Sequence, residues 1–289
     1  MIIVITGPTC TGKSETALAV AKARNAFIVN ADAFQLYKQL IIGVAKPPKE
    51  YFEEVPHYFY SCVDVEKEYS IADYQKDIRK ILDELEATGK DIVLVGGSGL
   101  YIRSALYDYV FDEQTEKVDM SKYEKLENHA LHEELKKIDP VEAEKIHENN
   151  RKRVLRAIEI FLCMGERKSD IIASQEHRLM YKAKFFVRDV DRDELYKKID
   201  RRVDEMMKQG LFEEVKTLVS KYGKDLRALQ AIGYKELIPV LDGSETLENA
   251  VNEIKKNSRN YAKRQLTFIK HQFPSIFYKD AEDLLEKLK

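Results

Sequence analysis

The feature that most constrains this chain is a glycine-rich loop close to its start, between an apolar run and a helical pattern. Residues 2–5 read IIVI, residues 7–14 read GPTCTGKS, and a helix-forming stretch follows at once. The loop matches G-x-x-x-x-G-K-[ST] in the strand, loop, helix context of a phosphate-binding site. Such a loop turns its backbone N–H groups around an anion, and the following helix adds positive potential there. The segment predicts a phosphate site at the edge of an α/β sheet, with a glycine-rich turn that only caps a helix as the alternative.

Two side chains at the end of this loop carry the chemistry of such a site. Lys13 would supply a mobile positive charge beside the bound phosphates. Ser14 would offer its hydroxyl to a Mg²⁺ ion that bridges the same phosphates. Mg²⁺ is therefore the cofactor that the sequence predicts, with Ser14 as its protein ligand.

The composition limits the class of protein. Of 289 residues, 44% are hydrophobic and 34% charged, and no apolar stretch approaches the roughly 18 residues that a membrane span needs. The three cysteines, Cys10, Cys62 and Cys163, are odd in number and far apart, which indicates free thiols in a reducing cytoplasm. A net charge of −2 argues against a protein that coats nucleic acid indiscriminately.

The distribution of charge is more informative than its sum. Residues 254–279 contain no acidic side chain but seven basic ones: Lys255, Lys256, Arg259, Lys263, Arg264, Lys270 and Lys279. A second basic group consists of Arg151, Lys152, Arg153 and Arg156. These groups indicate contact with a polyanion, and solvated helix faces are the alternative.

The rest of the chain predicts one parallel sheet with a helical insertion. Apolar runs at 26–30, 91–95 and 183–187 are typical of buried strands, and 183–187 is expected to be the last of them. Asp32 follows the second strand and is expected on the same sheet edge as the phosphate loop.

Helices are predicted near 71–88, 192–209, 211–221 and 247–272. From 112 to 177 the sequence is polar, Lys/Glu-rich and helical. We expect a catalytic core at 1–111 and 178–289, with an all-helical insertion at 112–177.

Ordered sequence blocks along nearly the whole chain resemble the tRNA dimethylallyltransferases, the tRNA isopentenyltransferases of the MiaA type. The blocks are Gly7-Pro8-Thr9 with Gly12-Lys13-Ser14; Asn30-Ala31-Asp32 with Gln35 and Tyr37-Lys38; Gly43 with Ala45-Lys46-Pro47; Val55-Pro56-His57; Tyr69-Ser70 with Ala72-Asp73; Gly96-Gly97-Ser98-Gly99-Leu100-Tyr101; His147, Asn149-Asn150 and Arg153-Val154-Leu155-Arg156-Ala157; Ala231-Ile232-Gly233-Tyr234-Lys235-Glu236; and Tyr261-Ala262-Lys263-Arg264-Gln265. Any one block alone would be far less specific than their order.

The resemblance implies a P-loop NTPase-like fold and a prenyl transfer. The dimethylallyl group would pass from dimethylallyl diphosphate to N6 of adenosine 37 in tRNAs that read codons beginning with U. The phosphate loop would then hold the diphosphate leaving group, and no ATP hydrolysis is needed. The resemblance further implies a cytoplasmic monomer that needs no protein partner and recognises the anticodon stem-loop of tRNA.

The family's functional residues transfer to matching positions of this sequence. Asp32 would be the general base, Thr9 would hydrogen-bond the leaving oxygen, and Lys13 would neutralise developing charge. The residues implied for diphosphate binding are Gly7, Pro8, Thr9, Cys10, Thr11, Gly12, Lys13, Ser14 and Lys198. The residues implied for tRNA binding are Asp32, Ala33, Phe34, Gln35, Ser98, Lys152, Arg153, Arg156, Arg259, Lys263, Arg264 and Gln265.

Some positions depart from the family pattern or allow another interpretation. Ala33-Phe34 replaces the usual Ser-Arg, and Lys198 stands where an arginine is usual, so it lacks the bidentate fork of a guanidinium. Ser98 replaces a threonine and keeps the hydroxyl. Asp32 could instead cap the next helix. Arg156 could instead form a buried ion pair with Glu159 or another core acid.

Three other functions are compatible with parts of the sequence. An adenylate isopentenyltransferase would share the core, but an acceptor as small as AMP needs neither the inserted segment nor the late basic helix. A nucleotide kinase would use the phosphate loop to transfer phosphate from ATP. A non-catalytic RNA-binding module would need no phosphate loop.

Overall fold

The structure is a computed structural model that describes residues 1–109, 111 and 118–289. The strands of these residues are β1 (Ile2–Thr6), β2 (Phe27–Asn30), β3 (His57–Tyr58), β4 (Ile92–Gly96), β5 (Ala183–Arg188) and β6 (Ser275–Tyr278). Their helices are α1 (Lys13–Arg24), α2 (Lys49–Glu54), α3 (Ile71–Glu86), α4 (Gly99–Leu106), α5 (Ser121–Glu124), α6 (Asn128–Ile138), α7 (Pro140–Lys145), α8 (Arg151–Met164), α9 (Lys168–Ser174), α10 (Arg192–Lys208), α11 (Leu211–Tyr222), α12 (Ile238–Leu241), α13 (Leu247–Gln272) and α14 (Ala281–Glu286), with a 3-10 turn at Arg227–Gln230.

All six strands form one parallel sheet in the order β3-β2-β4-β1-β5-β6. The last residues of three neighbouring strands lie side by side, because Thr6 pairs with Gly96 and Asn30 pairs with Val95. The loops that follow β1, β2 and β4 therefore leave the sheet at one edge, where ligands bind in open α/β sheets.

The central strands are apolar because helices cover both faces of a parallel sheet. Every residue of β1 and β4 is buried. Ile3 and Ile5 of β1 pack in one cluster with Val20 of α1 and Leu284 of α14. The long helices add amphipathic faces, and α3 begins with the capping box of Ser70 and Asp73. A buried, well-packed core thus fixes the strand ends that carry the loops.

The chain divides into two compact units, residues 1–106 with 179–289, and residues 107–178. The second unit has its own apolar core, in which Leu131 and Leu135 of α6 pack with Val154 and Ile158 of α8. Its residues 118–177 contain helices, turns and loops. The predicted insertion began at 112, and residues 112–117 lie outside the described residues.

The predicted parallel sheet flanked by helices is confirmed, and the helix at 247–272 has the predicted bounds. The expectation that 183–187 is the last strand is wrong, because β6 follows it along the chain and pairs with β5 as an outermost strand of the sheet. Strand β6 escaped prediction because it is short, and Ile276 and Phe277 are both exposed, which breaks the pattern of a buried strand. Within the described residues, no helix is both long and apolar enough to cross a bilayer.

Candidate functional site

The phosphate loop between β1 and α1 is held by one hydrogen bond within the loop and one from a side chain of β5. Gly7 and Gly12 have φ angles of 148° and 72°, which favour glycine. The Thr11 hydroxyl donates to the Pro8 carbonyl at 3.0 Å, and Arg188 Nη1 donates to the Thr11 carbonyl at 3.0 Å. A Cβ atom at Gly12 would lie 2.6 Å from Arg188 Nη1. The loop is therefore a preformed turn held by contacts within the protein.

Lys13 lies where this loop meets α1 and is a half-buried cation. Its Nζ donates to the Pro8 carbonyl at 2.6 Å. Burial lowers the pKa of Lys13 to about 8, the carboxylate of Asp32 acts in the opposite direction, and Arg202 lowers it further. An anion bound here would favour the charged form of the amine.

Asp32 is fixed by the buried side chain of Asn30 at the end of β2. Asn30 Nδ2 donates to the Phe59 carbonyl at 2.9 Å, and Asn30 Oδ1 accepts from the Asp32 N–H at 2.9 Å. Asp32 Oδ1 accepts from the N–H groups of Phe34 and Gln35 at 3.0 and 3.4 Å. Asp32 thus caps a turn at 33–36. The alternative interpretation expected a capping role for Asp32, but it expected a helix where the structure has this turn. Its Oδ2 has no hydrogen-bond partner among the described residues.

The phosphate loop and Asp32 open into one cavity of about 770 Å³. Its lining includes residues 9–15, Asp32, Phe34 and Gln35, the loop 43–48, Gly96 and Gly97, and parts of α10 and α13. A cavity of this size accommodates a small-molecule ligand. The predicted phosphate loop and a carboxylate with an available oxygen therefore face the same cavity.

Two tyrosines, Tyr60 and Tyr261, line the same cavity as Asp32 and are affected by its charge. Burial raises the pKa of Tyr261 to about 12, and the negative charge of Asp32 contributes to this rise. Burial and Asp32 likewise raise the pKa of Tyr60, and both rings line the cavity. Their hydroxyls are protonated at neutral pH. Neither tyrosine was among the residues predicted for the site, although Tyr261 stands in one of the quoted blocks.

Three further cations, Lys46, Arg202 and Lys235, line the cavity and were not among the predicted site residues. Lys46 Nζ donates to the carbonyls of Tyr37 and Lys38 at 2.5 and 3.1 Å, and burial lowers the pKa of Lys46 to about 8. Arg202 Nη1 donates to Cys10 Sγ at 3.6 Å. Their placement depends on tertiary structure, although Lys46 and Lys235 stand in quoted blocks and Arg202 stands where the family resemblance expects an arginine.

The predicted diphosphate residue Lys198 lies in an adjoining recess of about 500 Å³ and does not line the main cavity. Its exposed side chain shares this recess with Lys46, Arg201 and Arg202, and Glu205 is the one acidic residue of the lining. The recess is therefore positively charged and adjoins the phosphate loop through Cys10 and Gly12.

The predicted tRNA-binding residues near the sheet edge, Asp32 to Gln35 and Ser98, all have hydrogen-bond partners within the protein. The Ser98 hydroxyl accepts from the Ala33 N–H at 3.1 Å. Gln35 Nε2 donates to the carbonyls of Val44 and Ala45 at 3.0 and 3.2 Å. Phe34 lines the cavity, whereas Ala33 and Ser98 do not. These bonds hold the 33–36 turn against its neighbouring loops.

The predicted tRNA-binding residues of α13 differ in exposure. Lys263 and Arg264 are exposed, and the Arg264 guanidinium lies 5.7 Å from the ring centroid of Tyr261. Arg259 forms an ion pair with Asp200. Gln265 is buried, with both ends of its amide bonded to backbone atoms of the site. Its predicted contact with tRNA stays a prediction.

The predicted tRNA-binding residues of α8 lie on the surface of the second unit. Lys152, Arg153 and Arg156 are all exposed. Arg156 Nη1 lies 2.7 Å from Glu159 Oε2, and the two side chains are 51% and 36% exposed. The alternative interpretation named the right partner for Arg156, but the ion pair is at the surface and not buried.

Comparison with known proteins identifies the family. A family model described as IPP transferase matches residues 35–272. The chain belongs to this family. It is 39% identical over 285 residues to a tRNA dimethylallyltransferase of Anoxybacillus flavithermus, covering 98% of this chain and 92% of that protein. A tRNA dimethylallyltransferase of Bacillus anthracis is 40% identical over 282 residues, covering 96% of this chain and 90% of the relative.

Solved structures of IPP transferases also match this fold. The tRNA Δ(2)-isopentenylpyrophosphate transferase of Staphylococcus epidermidis is 36% identical, with a TM-score of 0.73 over 99% of this chain and 96% of that chain. A eukaryotic dimethylallyltransferase acting on tRNA is 27% identical, with a TM-score of 0.83 over 99% of this chain and 77% of that chain. Family membership makes this chain a prenyltransferase, and the P-loop-type fold predicted from the sequence is confirmed.

Proposed function

We propose that this IPP transferase moves a dimethylallyl group from dimethylallyl diphosphate to N6 of adenosine 37 in tRNAs that read codons beginning with U. The observation that carries the proposal is the shared cavity, in which the phosphate loop and the Asp32 carboxylate face one space of about 770 Å³. The phosphate loop suits a diphosphate, and the Asp32 carboxylate suits an amino group that must lose a proton. Membership of a family with tRNA-modifying relatives supports tRNA as the acceptor.

The phosphate loop would stabilise the leaving diphosphate. As the bond between the allylic carbon and oxygen breaks, its electron pair moves to the diphosphate, and negative charge grows there. Thr9 and Lys13 line the cavity, and the Thr9 hydroxyl and the Lys13 amine would meet that charge. The preformed turn lowers the reorganisation that this stabilisation requires.

Asp32 would orient the acceptor and take its proton. Adenine N6 is a weak nucleophile because its lone pair is delocalised into the ring, so alignment against the allylic carbon is essential. Oδ1 is held by the turn at 33–36, which leaves Oδ2 to accept the N6 proton as the carbon–nitrogen bond forms. The base must leave its stack in the anticodon loop to reach this cavity.

The residues present fit a Mg²⁺ ion bound mainly by the diphosphate. Ser14 lines the cavity at the start of α1. No cluster of three His, Cys, Asp or Glu side chains that could bind a metal occurs among the described residues. Mg²⁺ commonly keeps several waters and binds through substrate phosphates with few protein ligands, so Ser14 and the diphosphate oxygens would suffice. The ion would neutralise diphosphate charge.

Exposed cations would provide contacts with the tRNA phosphates. Lys263 and Arg264 of α13 belong to the first unit, and Lys152, Arg153 and Arg156 of α8 belong to the second. Such contacts position an RNA, whereas an extruded base is read by its pocket. We further propose that the protein acts on the anticodon stem-loop as a cytoplasmic monomer.

The proposal is tested by incubating the protein with dimethylallyl diphosphate, Mg²⁺ and unmodified tRNA, followed by mass spectrometry of the nucleosides. We expect dimethylallyladenosine at position 37 in tRNAs that read U-initial codons and none in other tRNAs. AMP as acceptor and ATP as donor are run in parallel. Transfer of the prenyl group to AMP alone would establish an adenylate isopentenyltransferase. Transfer of phosphate from ATP would establish a kinase. Either result would contradict the proposal.

A further inference from the structure

Gln265 is the buried polar residue of the cavity whose contacts the proposed mechanism does not use. It lies on α13 and is 6% exposed. Its Oε1 accepts from the Thr9 N–H at 3.0 Å, and its Nε2 donates to the Gly97 carbonyl at 2.8 Å. Both partners are backbone atoms, and they belong to the loops that follow the adjacent strands β1 and β4. One amide therefore joins α13 to two loops of the site.

The local sequence allows this amide to approach closely. A Cβ atom at Gly97 would lie 2.2 Å from Gln265 Nε2, so any other residue at 97 would displace the amide or the loop. A carboxamide donates from its nitrogen and accepts at its oxygen without any change of protonation state. The glycine and the glutamine thus form a matched pair.

The bond to Thr9 decides what this residue can offer to a ligand. In a phosphate loop the backbone N–H groups usually turn toward the anion. Here the Thr9 N–H is occupied by Gln265, so what Thr9 can offer to a ligand in the cavity is its hydroxyl, which lies 3.8 Å from Cys10 Sγ. Fixing the backbone at this point fixes where that hydroxyl is anchored.

We propose that Gln265 is a positioning residue of the donor site, which sets Thr9 and the phosphate loop for the diphosphate rather than contacting tRNA. The inference rests on the proposed function for the identity of the donor. It reverses the role that the sequence resemblance implied for this residue. It also distinguishes Gln265 from its neighbour Arg264, which is exposed and retains a role in RNA binding.

The first test replaces Gln265 by methionine, which keeps the length of the side chain but removes its donor and acceptor. We expect the dissociation constant for inorganic diphosphate with Mg²⁺, measured by calorimetry, to rise about tenfold, because two buried hydrogen bonds are lost. The KM for dimethylallyl diphosphate should rise similarly, and the affinity for tRNA should stay within about twofold. Gln272→Met is the matched control, since Gln272 lies on the same helix and accepts from Arg103 of α4.

The second test, Gln265→Glu, has a pH signature that a merely structural role would not produce. An ionised glutamate can accept from Thr9 but cannot donate to Gly97, and it repels the diphosphate. A protonated glutamate restores both bonds. The ratio of the variant's dissociation constant for diphosphate to that of the wild type should therefore fall as the pH falls from 8 to 6. This variant also carries the test if Gln265→Met does not fold.

Three outcomes would overturn the inference. Weaker tRNA binding with unchanged diphosphate affinity would make Gln265 an RNA contact. A lower melting temperature with unchanged diphosphate affinity would make it a stabilising residue only. A pH-independent ratio for Gln265→Glu would exclude the paired hydrogen bonds. Diphosphate binding needs no transfer, so a wild-type protein that binds diphosphate and modifies no tRNA would refute the proposed function without touching this inference.

Discussion

The sheet edge of the first unit and the exposed face of α8 in the second unit are both polar, but their polar groups have different partners. At the sheet edge, Asn30 and Gln265 bond to backbone atoms of neighbouring loops, and Asp32 bonds to the backbone of its own turn. On α8, Lys152 and Arg153 extend into solvent. The first region is preorganised by bonds within the protein, whereas the second is free to adapt to a partner.

This difference predicts how each region responds to substitution. A buried polar group that loses its partner costs the full desolvation of the group left behind, about 1–3 kcal/mol. An exposed cation that is removed costs only its share of a screened attraction. Substitutions at the sheet edge should therefore have large effects on catalysis or folding. Substitutions on α8 should have small effects, confined to RNA binding.

The largest expected effect is that of Asp32→Asn. Asparagine keeps an oxygen that accepts from Phe34 and Gln35, but it cannot take a proton from N6. We expect kcat for tRNA prenylation to fall by about 10²–10⁴-fold, with diphosphate affinity retained or increased. Asp64→Asn is the control, because Asp64 is an exposed acid paired with Lys38. Substantial turnover by Asp32→Asn would exclude Asp32 as the base.

A large effect on folding is expected from Gly96→Ala at the end of β4. The added Cβ would lie 2.3 Å from the backbone of Ala31, which is part of the strand end that positions Asp32. We expect a loss of about 3 kcal/mol in the free energy of unfolding, measured with urea, because the backbone must move. Gly89→Ala meets no atom within 4 Å but has a φ of 75°, so it should cost only about 1 kcal/mol. Equal losses would mean that the collision is relieved without cost.

The contrast also explains what could be predicted from the sequence. The phosphate loop, the strand before it and Asp32 were predictable because each is a local pattern, with apolar residues followed by a turn that presents polar groups. The long helices 192–208 and 247–272 were predictable from their amphipathic period. Strand β3 was not, because two residues carry no detectable period.

The partners within the site could not be derived from local patterns. Gln265 and Thr9 are 256 positions apart in the sequence, and their bond depends on how α13 packs against the sheet. The low pKa of Lys13 depends on burial, which the sequence of the loop does not encode. Tyr60 and Lys46 reach the cavity from loops whose course is set by tertiary contacts. The sequence therefore indicated which loops form the site but not which groups hold them.

A moderate effect of pH is expected through Lys13. Its pKa is about 8 in the free protein, and a bound diphosphate stabilises the protonated amine and raises that value. Diphosphate affinity should then fall as the pH rises above about 8, by up to tenfold per pH unit, until the pKa of the complex is reached. The ratio of wild-type to Lys13→Met affinity at each pH removes the titration of diphosphate itself. A ratio that stays constant from pH 7 to 9.5 would show that Lys13 does not change its protonation.

The smallest expected effect is that of Lys152→Gln on α8. Losing one phosphate contact should weaken tRNA binding a few-fold. The slope of the logarithm of the binding constant against the logarithm of the salt concentration should become shallower by about 0.7–0.9, because one counterion fewer is released. Diphosphate affinity should not change, and the free energy of unfolding should stay within about 0.5 kcal/mol. Lys136→Gln on α6 is the control in the same unit, because Lys136 is already paired with Glu133. Equal salt slopes for the two variants would show that α8 carries solvated charge and not an RNA contact, since only a cation that displaces counterions changes the slope.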